Sequence, residues 1–248
     1  MTATASASDV AKFELAPGGV LKVGLNHSNF LLVTPGSTNI DPSGLAPDIA
    51  RELGKRLGVN VLFSSYDTPA KLGDAVKSGS WDIAFLAADP SREDDIDFTA
   101  AYVEIEASYL VPPGSPITCI SEADQEGMRI SVANKSAYEM WLTRHIKHAQ
   151  LVLAANADES FRKFIDEGMD ALSGLKPRLM IDAAKLPGYK IIEGRFTAIQ
   201  QAIGLPKGRT AGLAFVSDFI EDIKRSGLVA RTIERNGIHG VTVAAFAK

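Results

Sequence analysis

Apolar residues fall along this chain in two kinds of run. Short, nearly continuous ones occur at Leu21-Lys-Val-Gly-Leu25, Val59 to Phe63 and Asp82 to Ala88, each bounded by turn residues. Such runs are expected of parallel strands covered on both faces. Between them the spacing is helical. Ile49, Leu53 and Leu57 stand at i, i+4 and i+8 in a segment opened by Pro47-Asp48, with Asp48 as its cap, and closed by Gly58. Ala70 to Lys77 is a second predicted helix, stopped by Gly79. The order β-α-β-α-β predicts a sheet with helices on both faces.

The same order then recurs. Arg129 to Val132 reads as a strand, Ser136 to Ala149 as a helix and Leu151 to Ala154 as a strand. Glu159 to Glu167 is a helix with Phe161, Phe164 and Ile165 on its apolar side, and Met169 to Leu172 is a third strand. Two successive units of this kind imply two similar lobes rather than one sheet. The tail from Thr210 to Asn236 is helical, interrupted at Gly227.

Bulk composition narrows the function. The 248 residues carry a net charge of −4, with 46% hydrophobic and 23% charged residues, an ordinary globular balance without a basic stripe. Nucleic acid is therefore not an expected partner. No apolar run approaches the ~20 residues that span a bilayer. Met1 to Val10 has neither a basic nor an apolar leader region, so the chain as it stands is expected to be cytoplasmic; periplasmic placement is the alternative if a leader was removed. Cys119 is the only cysteine, which precludes an intramolecular disulfide and fits a reducing compartment.

One residue stands out for its chemistry. Asp89-Pro90 breaks the chain after the third strand, and Arg92 follows just beyond that strand's carboxyl end, where open α/β sheets bind ligands. A guanidinium there can hold a carboxylate through two charge-assisted hydrogen bonds. Pairing with Glu93, Asp94 or Asp95 is the competing role. His145 and His148 stand three apart on a predicted helix without a recognisable third ligand, so no metal is expected. Gly204-Leu-Pro-Lys-Gly208 lacks the phosphate-loop spacing, and no Gly-x-Ser-x-Gly elbow occurs. No cofactor is expected.

In order and spacing, several segments resemble the solute-binding proteins for polar amino acids, family 3, of the type II periplasmic-binding-protein fold. They are Leu21-Lys-Val-Gly, Gly44-Leu-Ala-Pro-Asp-Ile-Ala, Ser78-Gly-Ser-Trp-Asp, Arg92-Glu-Asp-Asp-Ile-Asp-Phe-Thr-Ala-Ala-Tyr, Arg129-Ile-Ser-Val, Glu167-Gly-Met-Asp-Ala and Ala202-Ile-Gly-Leu-Pro-Lys-Gly. The resemblance runs from about Leu21 to Gly237. It implies an α/β fold of two lobes, each a mostly parallel sheet flanked by helices, with ligand between them. Lobe 1 would take residues 1–103 and 203–248, and lobe 2 residues 104–202, joined by crossings near Tyr102 to Glu106 and Gln200 to Gly204. Closure about such hinges is the expected motion.

The resemblance also implies site residues. The arginine matching Arg92 holds the ligand carboxylate. A hydroxyl residue five positions earlier normally helps hold the ligand ammonium, and here that position is Ala87. Relatives place an acid five residues after the motif aspartate, Asp170 here, and this chain has Leu175 followed by Lys176. An unpaired buried ammonium is costly. The expected ligand is therefore a carboxylate without a free α-amino group, with Lys176 available to a second anionic group or to solvent. Where relatives carry Gly-Thr-Thr at a helix start, this chain has Lys135-Ser136-Ala137, so Ser136 and Ala137 would meet the anion with one hydroxyl fewer. His27 and Phe30 occupy the loop where relatives present a ring, and Asn26 and Asn29 could add polar contacts there. Asp89 is expected to cap its turn.

Two function classes remain. The leading one is reversible capture of a small carboxylate by a monomer, delivered to an ABC transporter permease if exported. The other is an enzyme on the same scaffold, a dehydratase-like lyase with Glu104 or Asp89 as acid, or a metabolite sensor.

Overall fold

The computed structural model describes residues 6–34 and 41–247. Met1 to Ala5, the start of the stretch read for a leader, lie outside the described residues. The chain divides into two compact units. One takes the chain as far as Glu104 and again from Gln200 onward, and the other is Ile105–Ile199.

The elements follow in this order: α1 (Ala7–Leu15), β1 (Val20–Asn26), α2 (Leu45–Leu57), β2 (Asn60–Tyr66), α3 (Pro69–Asp74), β3 (Ile83–Ala87), β4 (Ile96–Phe98) and β5 (Val103–Val111). Next come β6 (Arg129–Ala133), α4 (Ala137–His145), β7 (Gln150–Ala154), α5 (Ala157–Asp166), β8 (Ala171–Leu175), α6 (Lys176–Ala183) and β9 (Lys190–Ile191). The chain closes with β10 (Thr197–Pro206), α7 (Thr210–Arg225), α8 (Leu228–Arg235) and β11 (Val241–Val243).

In the first unit the strands run β2-β1-β3-β10, with β4 also beside β10. β1 pairs in parallel with β2 and β3, and β10 is antiparallel to β3. Leu25 is the register partner of Ser65 on one side and of Phe85 on the other. The opposite face is filled by Leu72, Val76, Trp81, Ala84, Leu86 and Ile96. Trp81 is fully buried there and satisfies its indole N–H on Leu72 O at 3.0 Å. Gly24 is small because a Cβ would stand 2.6 Å from Leu72 Cδ1. Helix α7 has no side-chain N-cap of its own, and Glu14 of α1 supplies one, its carboxylate accepting Gly212 N–H at 2.7 Å.

In the second unit the order is β5-β8-β6-β7, with β9 also on β5. β6 is parallel to β7 and β8, while β5 and β8 are antiparallel. Leu110, Phe164, Met169, Leu172 and Leu179 form a core under α5 and α6.

Several boundaries depart from the sequence reading. Helix α2 starts at Leu45 with Gly44 as N-cap, and Asp48 lies in its first turn bonded to Arg235 and Asn236. Gly44 is needed at φ +121, where a Cβ would come within 2.8 Å of Leu32 O and Thr34 N. The predicted helix Ala70 to Lys77 is α-helical only to Asp74, then tightens to a 3₁₀ turn over Ala75–Ser78 before Gly79. The predicted helix Ser136 to Ala149 ends at His145. Asp124 takes the N–H groups of Lys147, His148 and Ala149 at 2.7–3.1 Å, which draws that segment out of the helix. Helices α1 and α6 and strands β4, β5, β9, β10 and β11 were not anticipated as regular elements. Among the described residues, no helix is long and apolar enough to cross a membrane.

Candidate functional site

The first unit gathers its candidate residues at the carboxyl ends of β1 and β3. Phe85 and Leu25 are paired across these strands, and Ala87 and His27 each follow that pair by two residues. Ala87 is buried and ends β3. A 3₁₀ turn over Pro90–Arg92 then brings Arg92 back over the strand end, where its Nη1 donates to Ala87 O at 2.7 Å. Asp89 caps that turn, accepting from Ser91 N–H at 3.0 Å and Ser91 Oγ at 2.7 Å. Burial lowers the Arg92 pKa to about 10, while Asp89 and Asp74 favour the charge, so Arg92 remains a half-buried cation at neutral pH.

The loop leaving β1 is organised by its asparagines. Asn26 Oδ1 accepts from Ser28 Oγ at 2.7 Å and from Ser28 N–H at 3.3 Å. Asn29 Oδ1 accepts from Leu31 N–H at 3.2 Å. Both side-chain oxygens thus shape the loop, the work expected of Asx residues in turns. Phe30 is half-buried in the same loop. His27 extends the parallel ladder by one bond, its N–H donating to Tyr66 O at 2.9 Å, and its Nδ1 is buried without a hydrogen-bond partner.

The second unit gathers its candidates at the carboxyl ends of the adjacent strands β6 and β8. Ser136 is the N-cap of α4, its Oγ accepting Glu139 N–H at 3.1 Å, and Ala137 is the first helical residue. Glu139 is buried in that first turn. Its carboxylate accepts from Lys135 N–H at 3.0 Å and from Thr143 Oγ1 at 2.7 Å. The helix start therefore carries the chain's own carboxylate, which answers the positive end of the helix dipole. Lys135, in the place of the relatives' glycine, adopts φ 54.

Leu175 ends β8 and Lys176 opens α6. Lys176 Nζ donates to Glu106 Oε2 at 2.6 Å, and Arg195 Nη1 reaches Glu106 Oε1 at 3.3 Å. The hydrogen bond from Lys176, chiefly, holds the Glu106 carboxyl below its ordinary range. Neither Glu106 nor Glu139 was singled out from sequence. Glu106 falls in the segment that the resemblance assigns to a crossing, and Glu139 stands three residues after Ser136, the spacing of a capping box.

His145 stacks on Trp141 with ring centroids 3.8 Å apart and its Nδ1 2.7 Å from Trp141 O. Among the described residues, no group of three or more His, Cys, Asp or Glu is placed to hold a metal ion. A surface groove of about 630 Å³ lies between α2 and α8, lined by charged side chains including Arg51, Lys55 and Arg231; none of the candidate residues above lines it.

Residues 21–237 match the family described as bacterial extracellular solute-binding proteins, family 3. Among solved structures, an amino acid ABC transporter substrate-binding protein from Streptococcus pneumoniae, bound to L-arginine, is similar with a TM-score of 0.72 at 20% identity, over 94% of this chain and 99% of that one. The solute receptor for L-cysteine of Neisseria gonorrhoeae gives 0.72 at 22% identity, over 93% and 95%. An ancestral amino acid-binding protein, described as a precursor of cyclohexadienyl dehydratase, gives 0.71 at 20% identity, over 91% and 98%. At these identities the likeness establishes the type II periplasmic-binding-protein fold. No curated protein matches the chain.

Proposed function

We propose, for a chain that belongs to the bacterial extracellular solute-binding proteins of family 3, that it reversibly captures a small carboxylate lacking a free α-ammonium group and hands it to an ABC transporter. Arg92 is the anchor in this reading. It is a half-buried cation at a strand end, already stripped of much of its water, so exchanging remaining solvent for a carboxylate carries little further desolvation.

One observation carries the ligand class. The two positions that would hold an ammonium are Ala87 and Leu175, which offer no side-chain acceptor. The neighbouring cation, Lys176, is tied to Glu106, so the nearby carboxylate is already neutralised. An ammonium brought there would meet a carboxylate already neutralised by Lys176, whereas a second anionic group could compete with Glu106 for Lys176. In the second unit, Glu139 already fills the start of α4, which supports Arg92 as the principal carboxylate ligand.

A lyase reading would call on Asp89 or Glu104 as an acid. Asp89 has Oδ1 engaged by the Ser91 amide and hydroxyl, the role of a turn cap, which favours binding over catalysis.

A thermal-shift screen against carboxylic acids with and without α-amino groups tests the proposal. Amine-free carboxylates are expected to raise the midpoint of the wild type and not of Arg92→Ala. Stabilisation by ordinary amino acids instead would return the ligand class to that of the amino-acid-binding relatives.

A further inference from the structure

Lys224 lies on α7 with its side chain fully buried, an uncommon place for a lysine. Its ammonium carries three protons and finds three partners. Nζ donates to Ala101 O at 3.2 Å and to Ala245 O at 2.8 Å, and pairs with Glu221 Oε1 at 2.7 Å. The same Glu221 oxygen accepts Ala247 N–H at 3.4 Å, and the Phe246 ring centroid stands 5.5 Å from Nζ. Lys224 thus ties the C-terminal segment to Ala101. Ala101 and Tyr102 stand just before the chain leaves the first unit after Glu104, and the chain returns to that unit at Gln200. Tyr102 is bonded to both other segments that meet there. Its N–H donates to Gln201 O at 2.9 Å, and its carbonyl accepts Ala244 N–H at 3.2 Å. Strand β5 accordingly has β10 beside it and β11 also paired to it.

We propose that the C-terminal segment, residues 241–247, braces the outgoing crossing, and that Lys224 is the positioning residue that locks it there. A two-stranded ribbon twists more than a wider sheet and is marginal by itself, so a third segment bonded at the same residue stiffens the crossing. Bending is then confined to the chain beyond Tyr102, and the empty protein samples fewer arrangements of its units. Fewer arrangements to lose means a lower ordering cost when a solute is captured. Service in solute capture rests on the reading above; the brace itself does not.

The test compares wild type with Lys224→Met, both without ligand. Amide hydrogen exchange reads the brace. The Ala244 and Tyr102 amides are expected to exchange at least about tenfold faster in Lys224→Met, with those of β1 little changed. Nitroxide labels at Cys119, exposed in the second unit, and at Lys55→Cys, exposed in the first, read the crossing. The distribution of distances between them is expected to broaden by about half or more. Equal acceleration of the β1 amides overturns the inference, because Lys224 then serves global stability alone. A distribution of unchanged width overturns it as well, as does a wild-type Ala244 amide that exchanges like an unstructured peptide. Should Lys224→Met fail to fold, Glu221→Gln, which loosens the same lock, takes its place, with about a threefold acceleration expected. A failed carboxylate screen leaves these readings unaffected, so the two proposals fail separately.

Discussion

Asp82 and Lys22 are joined by two backbone-level hydrogen bonds of opposite sense: Lys22 N–H donates to Asp82 Oδ2 at 3.0 Å, and Asp82 N–H donates to Lys22 O at 2.9 Å. The second unit repeats the device. Arg129 N–H donates to Asp170 Oδ2 at 2.7 Å, and Asp170 N–H donates to Arg129 O at 3.0 Å. In each unit an aspartate just before one strand, β3 or β8, pins that strand's parallel neighbour, β1 or β6, which explains why Trp-Asp and Met-Asp recur at the same place in the two halves. Asp82 also accepts from Arg209 Nη1 at 3.1 Å and is almost wholly buried. Asp82→Ala therefore strands a backbone N–H and a cation, and is expected to lower unfolding stability by about 2–4 kcal/mol; Asp170→Ala, with the backbone bond alone at stake, by about 1–3 kcal/mol. Urea titrations of both variants check the values and their order.

Tyr102 invites the opposite experiment. Its ring is fully buried and meets Phe85 edge-on at 5.7 Å, yet its hydroxyl has no partner and burial pushes the phenol well above its ordinary pKa. Removing an unmatched hydroxyl relieves a desolvation penalty. Tyr102→Phe is expected to leave stability unchanged or raise it by up to about 1 kcal/mol. A loss of that size in a denaturant melt would mean the hydroxyl has a partner after all.

Acid should reveal the Lys176–Glu106 pair. The folded-state pKa of Glu106 is depressed, so the pair stabilises fully above the ordinary glutamate range, about 4.3, and its contribution fades as pH falls through the folded value. The stability difference between wild type and Lys176→Met is expected to be greatest near neutrality and to shrink in more acidic buffer. Since the Glu106 side chain is 43% exposed, the difference stays under about 1 kcal/mol. A gap that widens on acidification would contradict the assignment.

Lys135 pairs a left-handed backbone with a side chain bearing a Cβ. That conformation costs an L-residue about 1–2 kcal/mol, and glycine adopts it freely. Lys135→Gly is expected to stabilise the protein by about 0.5–1 kcal/mol after glycine's greater entropy loss on folding. Glu139→Ala, which removes the acceptor of Lys135 N–H and the anion at the start of α4, should cost about 1–2 kcal/mol. Thermal melts of the two variants moving in the same direction would refute this account.

Much of the α/β organisation was legible in the chain because local rules suffice for it. Ile49, Leu53 and Leu57 mark the buried face of α2 by their spacing, and Gly58 closes that helix in the left-handed conformation. Strand β3 is a run of five buried residues, as a strand covered on both faces must be. Strands β5 and β10 were harder to read. Their polar positions, Glu104 and Glu106 in one and Gln200 and Gln201 in the other, interrupt the apolar run, and no α-helix stands between β5 and the next strand to mark a βα repeat.

By itself, then, the sequence determined the two β-α-β-α-β runs, the turn that carries Arg92 beyond β3, and the lack of a side-chain acceptor at Ala87 and Leu175. These depend on residue identity and near-neighbour spacing. Only the tertiary structure decided that Arg92 folds back onto Ala87 O, that Lys176 is held by Glu106, 70 residues away, and that α4 stops where Asp124 captures three amides. It alone set Leu25 between Ser65 and Phe85 in one sheet. The reason is that a hydrogen bond or ion pair between distant residues is chosen by which strands lie side by side, and strand neighbours are a property of the folded chain.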